Sequence, residues 1–106
     1  MKLVTAIIQP VMVPKLARVL RKQPVTGYTI SRVEGSGSDP DPSPDYVKPK
    51  AKFEIAIPDH LMEQLIKLIV DTVSTHSEGD GIVFATTLDA FVNLQSGRRD
   101  DAAFVV

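Results

Sequence analysis

Residues 51–73, AKFEIAIPDHLMEQLIKLIVDTV, change their hydrophobic period within a few positions. In the first seven residues Phe53, Ile55 and Ile57 alternate with polar or small residues, which predicts a strand with one buried face. After Pro58, leucine and other aliphatic residues recur every three or four positions, which predicts a helix with one apolar side. The stretch is therefore a strand that passes directly into a helix.

The beginning of the chain repeats this order. The apolar run of residues 3–9 stops at Pro10, which predicts a buried strand. From Val13 the apolar residues take a helical spacing, with four basic residues on the other side. YTISRVEG, from Tyr28, predicts a further strand. The late runs IVFATTL and AFVNLQ are either two short strands or one bent strand.

Two strand–helix–strand units joined by a loop predict an α+β fold. The expected architecture is a ferredoxin-like βαββαβ sandwich, in which an antiparallel sheet carries both helices on one face. The other face of the sheet is then uncovered, and its apolar residues need burial. We therefore predict a closed homo-oligomer.

Composition narrows the classes of function. The 106 residues fit a single domain, and 12 basic against 13 acidic residues give a net charge of −1, so no nucleic-acid partner is expected. The absence of cysteine excludes disulfides, thiol nucleophiles and cysteine-ligated metals. No apolar run reaches about 18 residues, so no membrane insertion is expected. The expected location is the cytoplasm.

The sequence gives little support for an enzyme. His60 and His76 are its two histidines, each beside a predicted helix end, and the serines lack a G-x-S-x-G context. The acidic loop SDPDPSPD has too many prolines for a calcium-binding loop. We therefore predict no catalytic residues, no metal site and no prosthetic group.

Two glycine pairs leave two interpretations open. EGSG ends at Gly37 and EGDG ends at Gly81, and each pair adjoins a predicted strand. Glycine pairs are common in ordinary turns. They also let consecutive backbone N–H groups approach an anion such as phosphate.

Five stretches, in chain order, resemble the P-II nitrogen-regulatory signalling family. They are MKLVTAII followed by Gln9, where that family usually has lysine, then VTGYTISRVEGSG, PKAKFEIAIPD, THSEGDGIVF and GRRDDAAF. The resemblance covers essentially the whole chain. It implies one domain, 1–106, with a flexible T-loop at 36–49, a nucleotide-binding B-loop at 75–82 and a C-terminal tail at 96–106.

The resemblance further implies a homotrimer with an adenine nucleotide in each cleft between neighbouring subunits. The T-loop would dock onto a regulated enzyme or transporter. The predicted nucleotide-binding residues are Gly27, Thr29, Gly35, Gly37, Glu54, Ala56, Gly79, Asp80, Gly81, Arg98 and Arg99.

Departures from the family's pattern remove positive charge from the nucleotide site. Ile82 stands where the family has lysine, and Asn93 and Gln95 replace two arginines that clamp the distal phosphates. Each charge-assisted contact contributes about 1.5–3 kcal/mol. We therefore expect ADP or AMP to be preferred over ATP. Arg98 and Arg99, which are close in sequence, either replace part of the lost charge or form a solvated basic turn.

The second effector is also expected to differ. Asp39 replaces the glutamine that helps bind 2-oxoglutarate, while Lys50 remains. A carboxylate beside a dicarboxylate is unfavourable. The chain thereby resembles the carboxysome-associated and bicarbonate-transport relatives, and a bicarbonate ion on Lys50 and Gly37 would control inorganic-carbon metabolism. Two alternatives stay open: an ordinary adenylate and 2-oxoglutarate sensor, or a structural trimer that has lost its nucleotide.

Overall fold

The computed structural model describes residues 1–24, 27–37 and 47–100. Short 3-10 turns at Pro10–Met12 and Asp59–Leu61 lead into the two helices. The elements are β1 (Lys2–Ile8), α1 (Val13–Leu20), β2 (Thr29–Gly35), β3 (Lys48–Ile57), α2 (Met62–Val73) and β4 (Gly81–Thr87). This order confirms the predicted α+β fold with two strand–helix–strand units.

The four strands form one antiparallel sheet in the order β2-β3-β1-β4. The central strand β1 pairs on both sides, so that Val4 lies opposite Ile55 on β3 and Ala85 on β4. This is the strand order of the ferredoxin-like sandwich. The register also aligns the alternating apolar residues of neighbouring strands on one face.

The core lies between this face and the two helices. Strand residues Val4, Phe53 and Ile55 are fully buried, and Leu16 of α1 and Ile69 of α2 pack in the same cluster. Both helices therefore cover the same face, as the sequence predicts. Pro14, near the start of α1, occupies a position where a helix does not need the backbone N–H group that proline lacks.

The opposite face of the sheet carries exposed apolar side chains. Val83 and Ala85 of β4 pack against the core, so the intervening Phe84 points away from the helices. Ile82 and Phe84 are 60% and 47% exposed. Burial of this face in a homo-oligomer would remove that apolar area from water. The homotrimer itself stays a prediction.

Two predicted boundaries were wrong. The third strand begins at Lys48 rather than Ala51, and it includes Pro49. Residues 48–50 pair with β2 alone, because the pairing of β1 with β3 reaches only Ala51. This end of β3 is an edge, where a proline is tolerated. The predicted T-loop range, 36–49, therefore overlaps the strand by two residues.

Neither interpretation of AFVNLQ was right. Within the described residues, this segment makes one isolated bridge, between Val92 and Arg99, and not a named strand. Asp39 of the predicted T-loop and residues 101–106 of the predicted tail lie outside the described residues.

The buried core predicts a large difference between two leucines. Leu16 is fully buried, whereas Leu94 is 95% exposed. We expect Leu16→Ala to lower the free energy of unfolding by about 2–5 kcal/mol, since it leaves a cavity. Leu94→Ala should change it by no more than about 0.5 kcal/mol. Urea denaturation of both variants measures this, and equal effects would contradict the described packing.

Candidate functional site

The register of β1 brings two distant loops to one end of the sheet. Ile8, the last residue of β1, lies opposite both Ala51 on β3 and Gly81 on β4. The end of β2 reaches the same place, because Gly35 pairs with Lys48. The predicted B-loop therefore lies beside the base of the predicted T-loop.

A cavity of about 200 Å³ lies where these segments meet. It includes predicted site residues from three separate parts of the chain, and Lys50 is the single titratable side chain among the lining residues. The lining residues are Ile7, Gly35, Ser36, Gly37, Lys50, Gly79, Gly81 and Ile82. Four glycines expose their backbone to the cavity, which permits close approach of a ligand.

Lys50 is mostly buried, with 8% of its surface exposed. Its ammonium nitrogen lies 3.4 Å from the carbonyl oxygen of Gly79 in the B-loop. The side-chain amide of Gln9 donates to the same oxygen at 2.6 Å. The B-loop is thus tied to the ends of β1 and β3 through one carbonyl group.

The Asp80 carboxylate orders the B-loop from within. It accepts hydrogen bonds from the backbone N–H of Thr75 at 2.7 Å, from the Thr75 hydroxyl at 2.6 Å and from the backbone N–H of Ser77 at 3.2 Å. These donors, first of all the Thr75 hydroxyl, hold the pKa of the Asp80 carboxyl below its ordinary value of 3.8. Asp80 therefore determines the shape of the loop.

Gly81 occupies a position that a side chain cannot enter. Its φ is +119°, and a Cβ atom would lie 1.9 Å from the carbonyl oxygen of Ile7. The close approach follows from the pairing of β4 with β1 at this point. The first glycine of the pair, Gly79, also has a positive φ, of 84°. The EGDG stretch thus meets a backbone requirement as well as lining the cavity.

A second group of predicted residues lies away from the cavity. Thr29 on β2 is opposite Glu54 on β3, and the row continues through Thr5 to Phe84 across the open face of the sheet. Ala56 lies two residues beyond Glu54, on the same face. Glu54 also forms an ion pair with Lys52 at 3.7 Å. Gly27, with φ of 145°, precedes β2.

The predicted arginines belong to a compact turn. The Asn93 side-chain oxygen accepts hydrogen bonds from the backbone N–H groups of Gln95 at 2.8 Å and Ser96 at 3.3 Å. The turn closes through the backbone, where Asn93 N–H donates to the carbonyl of Arg98 at 3.0 Å. Neither Arg98 nor Arg99 lines the cavity. Asn93 has a structural role in this turn.

Sequence reasoning missed the part that Gln9 plays. It noted Gln9 only as a departure from the family's lysine, and Ile7 and Ser36 were not predicted to line a site. A signal was present in the sequence: Pro10 ends β1, which places the side chain before it at the sheet end. The contact with Gly79, 70 residues away, depends on the strand order.

The fold and the cavity define a small ligand-binding domain. Its lining offers backbone groups and one ammonium group, which suit an anionic ligand. Among the described residues, no group of three histidines or carboxylates is placed to hold a metal ion. In the same parts of the chain, no helix is long and apolar enough to span a membrane.

Comparison with known proteins identifies the family. The family model "Nitrogen regulatory protein P-II" matches residues 1–98. The chain is 30% identical to Nitrogen regulatory protein P-II 1 of Escherichia coli strain K12, over 97% of this chain and 99% of that protein. It is 29% identical, with the same coverage, to Nitrogen regulatory protein P-II of Klebsiella oxytoca and to Nitrogen regulatory protein GlnK of Escherichia coli strain K12.

The chain therefore belongs to the P-II family of signalling regulators. Proteins of this family are trimeric and interact with the partners that they regulate. The resemblance drawn from the sequence is confirmed at the level of the family.

The backbone at Gly81 predicts that a substitution there affects folding as well as binding. We expect Gly81→Ala to lower the free energy of unfolding by more than about 2 kcal/mol, because the added Cβ atom meets the backbone of β1. Gly37→Ala is the matched control, since a Cβ atom there has nothing within 4 Å. Thermal unfolding of both variants measures the difference, and an unaffected Gly81→Ala protein would contradict the described pairing.

The hydrogen bonds to Asp80 predict a pH dependence of the B-loop. Because its folded pKa lies below the ordinary 3.8, the ionised carboxylate still orders the loop at that pH and loses the interaction only as the pH falls further. The backbone amide signal of Thr75 in NMR spectra should titrate with a midpoint below 3.8.

Thr75→Val serves as the control for this titration. It removes the hydroxyl donor and should raise the pKa of Asp80 toward its ordinary value. A Thr75 amide midpoint at or above 3.8 in the unchanged protein would show that the carboxylate does not hold the loop.

Proposed function

We propose that this chain is a P-II-type regulator that binds an adenine nucleotide at its B-loop and a small anion at Lys50. ADP or AMP is the preferred nucleotide, bicarbonate is the proposed anion, and the output passes through residues 36–49 to a regulated enzyme or transporter. The observation that carries the proposal is the cavity in which the mostly buried Lys50 meets the glycines of the B-loop and of the T-loop base.

The nucleotide site is proposed to form between two copies of the chain. The cavity residues and the row from Thr29 to Phe84 lie at different places on one subunit. A single chain therefore offers a phosphate-binding end and, separately, a polar row on its open face. In a trimer that buries this face, the B-loop of one copy can meet the Thr29 and Glu54 region of its neighbour.

The preference for a short phosphate chain is supported by the charges near the B-loop. Ile82, 60% exposed, follows the glycine pair directly and supplies no charge. The Asn93 oxygen is engaged by its own turn. Lys50 is the one cation in the cavity lining, so a triphosphate gains less there than it would from several cations.

Bicarbonate is proposed because it matches the site in charge and in hydrogen-bonding groups. A single ammonium group balances a single negative charge, whereas a dicarboxylate such as 2-oxoglutarate needs more positive charge. The neighbouring glycines can present backbone N–H groups to the remaining oxygens. Bicarbonate bound here would lie between the B-loop and the T-loop base and would thereby influence both.

Nitrogen control is the second candidate. The relatives are named nitrogen regulatory proteins, and Lys50 is present as the resemblance requires. A protein that binds 2-oxoglutarate with ATP, and shows no response to bicarbonate, would favour that function. The structural trimer without a nucleotide is favoured only by the replacements at Ile82, Asn93 and Gln95.

Calorimetric titration tests the proposal. We expect ADP to bind more tightly than ATP, and bicarbonate to strengthen ADP binding about fivefold or more relative to chloride at equal ionic strength. Lys50→Met should abolish the bicarbonate effect while ADP binding remains. Lys67→Met is the control, because Lys67 lies exposed on α2 and pairs with Asp71.

Three results would contradict the proposal. ATP binding as tight as ADP binding would remove the argument from lost cations. A bicarbonate effect that survives in Lys50→Met would place the anion elsewhere. Absence of any nucleotide binding would leave the EGDG stretch as a turn required by the backbone alone.

A further inference from the structure

Two side chains from different strands donate to one carbonyl oxygen of the B-loop. The Gln9 amide nitrogen lies 2.6 Å from the Gly79 oxygen, and the Lys50 ammonium nitrogen lies 3.4 Å from it. A carbonyl oxygen has two lone pairs and can accept both hydrogen bonds. The shorter contact is the stronger one, so Gln9 holds this oxygen more firmly than Lys50 does.

The Gly79 carbonyl needs a donor at all times. Gly79 is buried, and a buried acceptor that loses its donor is destabilised because water does not replace it. If Lys50 were its main donor, any anion that attracted the ammonium group would also leave this oxygen poorly satisfied. With Gln9 in place, Lys50 can turn toward the cavity at small cost.

We propose that Gln9 is a positioning residue for the anion at Lys50: it satisfies the Gly79 oxygen and so releases the ammonium group to bind an anion. The inference rests on the proposed function, since it requires Lys50 to bind an anion. It adds the residue that sets the strength of that binding. It also provides a direct physical link, one shared carbonyl oxygen, between the anion and the B-loop.

Gln9 also determines which anions the site accepts. Its amide donates a hydrogen bond without adding charge, so the ammonium group of Lys50 remains the one positive charge among the cavity and the residues that hold it. A monovalent anion such as bicarbonate balances this charge, whereas a divalent anion such as sulfate carries an excess. A second cation at position 9 would remove this discrimination.

The position of Gln9 in the chain keeps its side chain at this place. Gln9 follows the last residue of β1 and has an extended backbone, with φ −64° and ψ 135°. Pro10 comes next and restricts the preceding residue to such a conformation. The amide therefore remains beside the start of β4, where the Gly79 carbonyl lies.

The test is a titration of the full-length protein with sodium bicarbonate, followed by the NMR signals of the Gly79 and Gly81 amides. Gln9→Leu should weaken bicarbonate binding about three- to tenfold, because Lys50 is then retained by the Gly79 oxygen. Gln64→Leu is the control: it makes the same chemical change on the exposed surface of α2 and should leave the affinity unchanged.

Gln9→Lys separates a role in anion binding from a purely structural one. It keeps a donor for the Gly79 oxygen and adds a positive charge. We expect bicarbonate binding to be retained and sulfate binding to strengthen about fivefold or more relative to bicarbonate. A residue that merely stabilises the loop would leave this ratio unchanged, and this second variant decides the matter if Gln9→Leu does not fold.

The outcomes distinguish this inference from the function on which it rests. If the unchanged protein binds bicarbonate and Lys50→Met does not, but Gln9→Leu and Gln9→Lys behave like the unchanged protein, the role of Gln9 is overturned and the proposed function stands. If the unchanged protein binds no bicarbonate, both are overturned. Weaker binding in Gln9→Leu together with a changed anion ratio in Gln9→Lys supports the inference.

Discussion

The pairing of β1 on both of its sides is the constraint on which the rest of the structure depends. Because Ile8 lies opposite Ala51 and also opposite Gly81, the beginnings of β3 and β4 must lie at one end of the sheet. The same register places the apolar residues of three strands on the face that the helices cover. Core and site are thus consequences of one alignment, and a slip of one residue would disrupt both.

The site combines a rigid loop with a small number of charges. Hydrogen bonds to Asp80 shape the B-loop from within, while Gln9 and Lys50 hold it from outside through Gly79. Gly81 attaches the end of the loop to the sheet, where no side chain fits. A loop held in this way favours ligands through the groups that it presents and the charge that surrounds it.

Much of the fold could be predicted from the sequence, because hydrophobic periodicity reports burial directly. The beginning of β3 could not, since Lys48, Pro49 and Lys50 have the composition of a loop and form a strand only by pairing with β2. Periodicity also missed Thr72, which is buried because its hydroxyl donates to the Leu68 carbonyl at 2.7 Å. Such polar positions are determined by hydrogen bonds and leave no apolar pattern.

The site was predictable where glycine or resemblance marks it, and less so elsewhere. Gly35, Gly37, Lys50, Gly79 and Gly81 were all predicted, and the structure brings them to one cavity. The role of Gln9 could not be predicted, because it depends on a contact between distant segments. Asn93 was considered only as a lost charge, whereas its side chain builds a turn through local hydrogen bonds.

The most direct test concerns the proposed cleft, in which the B-loop of one copy meets the open face of another. Amide hydrogen exchange of the full-length protein, with and without ADP, reports on both surfaces in one experiment. The account predicts that residues 75–82 and 27–35 gain protection together, with the same dependence on ADP concentration. Protection of the B-loop alone, or of neither segment, would contradict a nucleotide site shared between two copies.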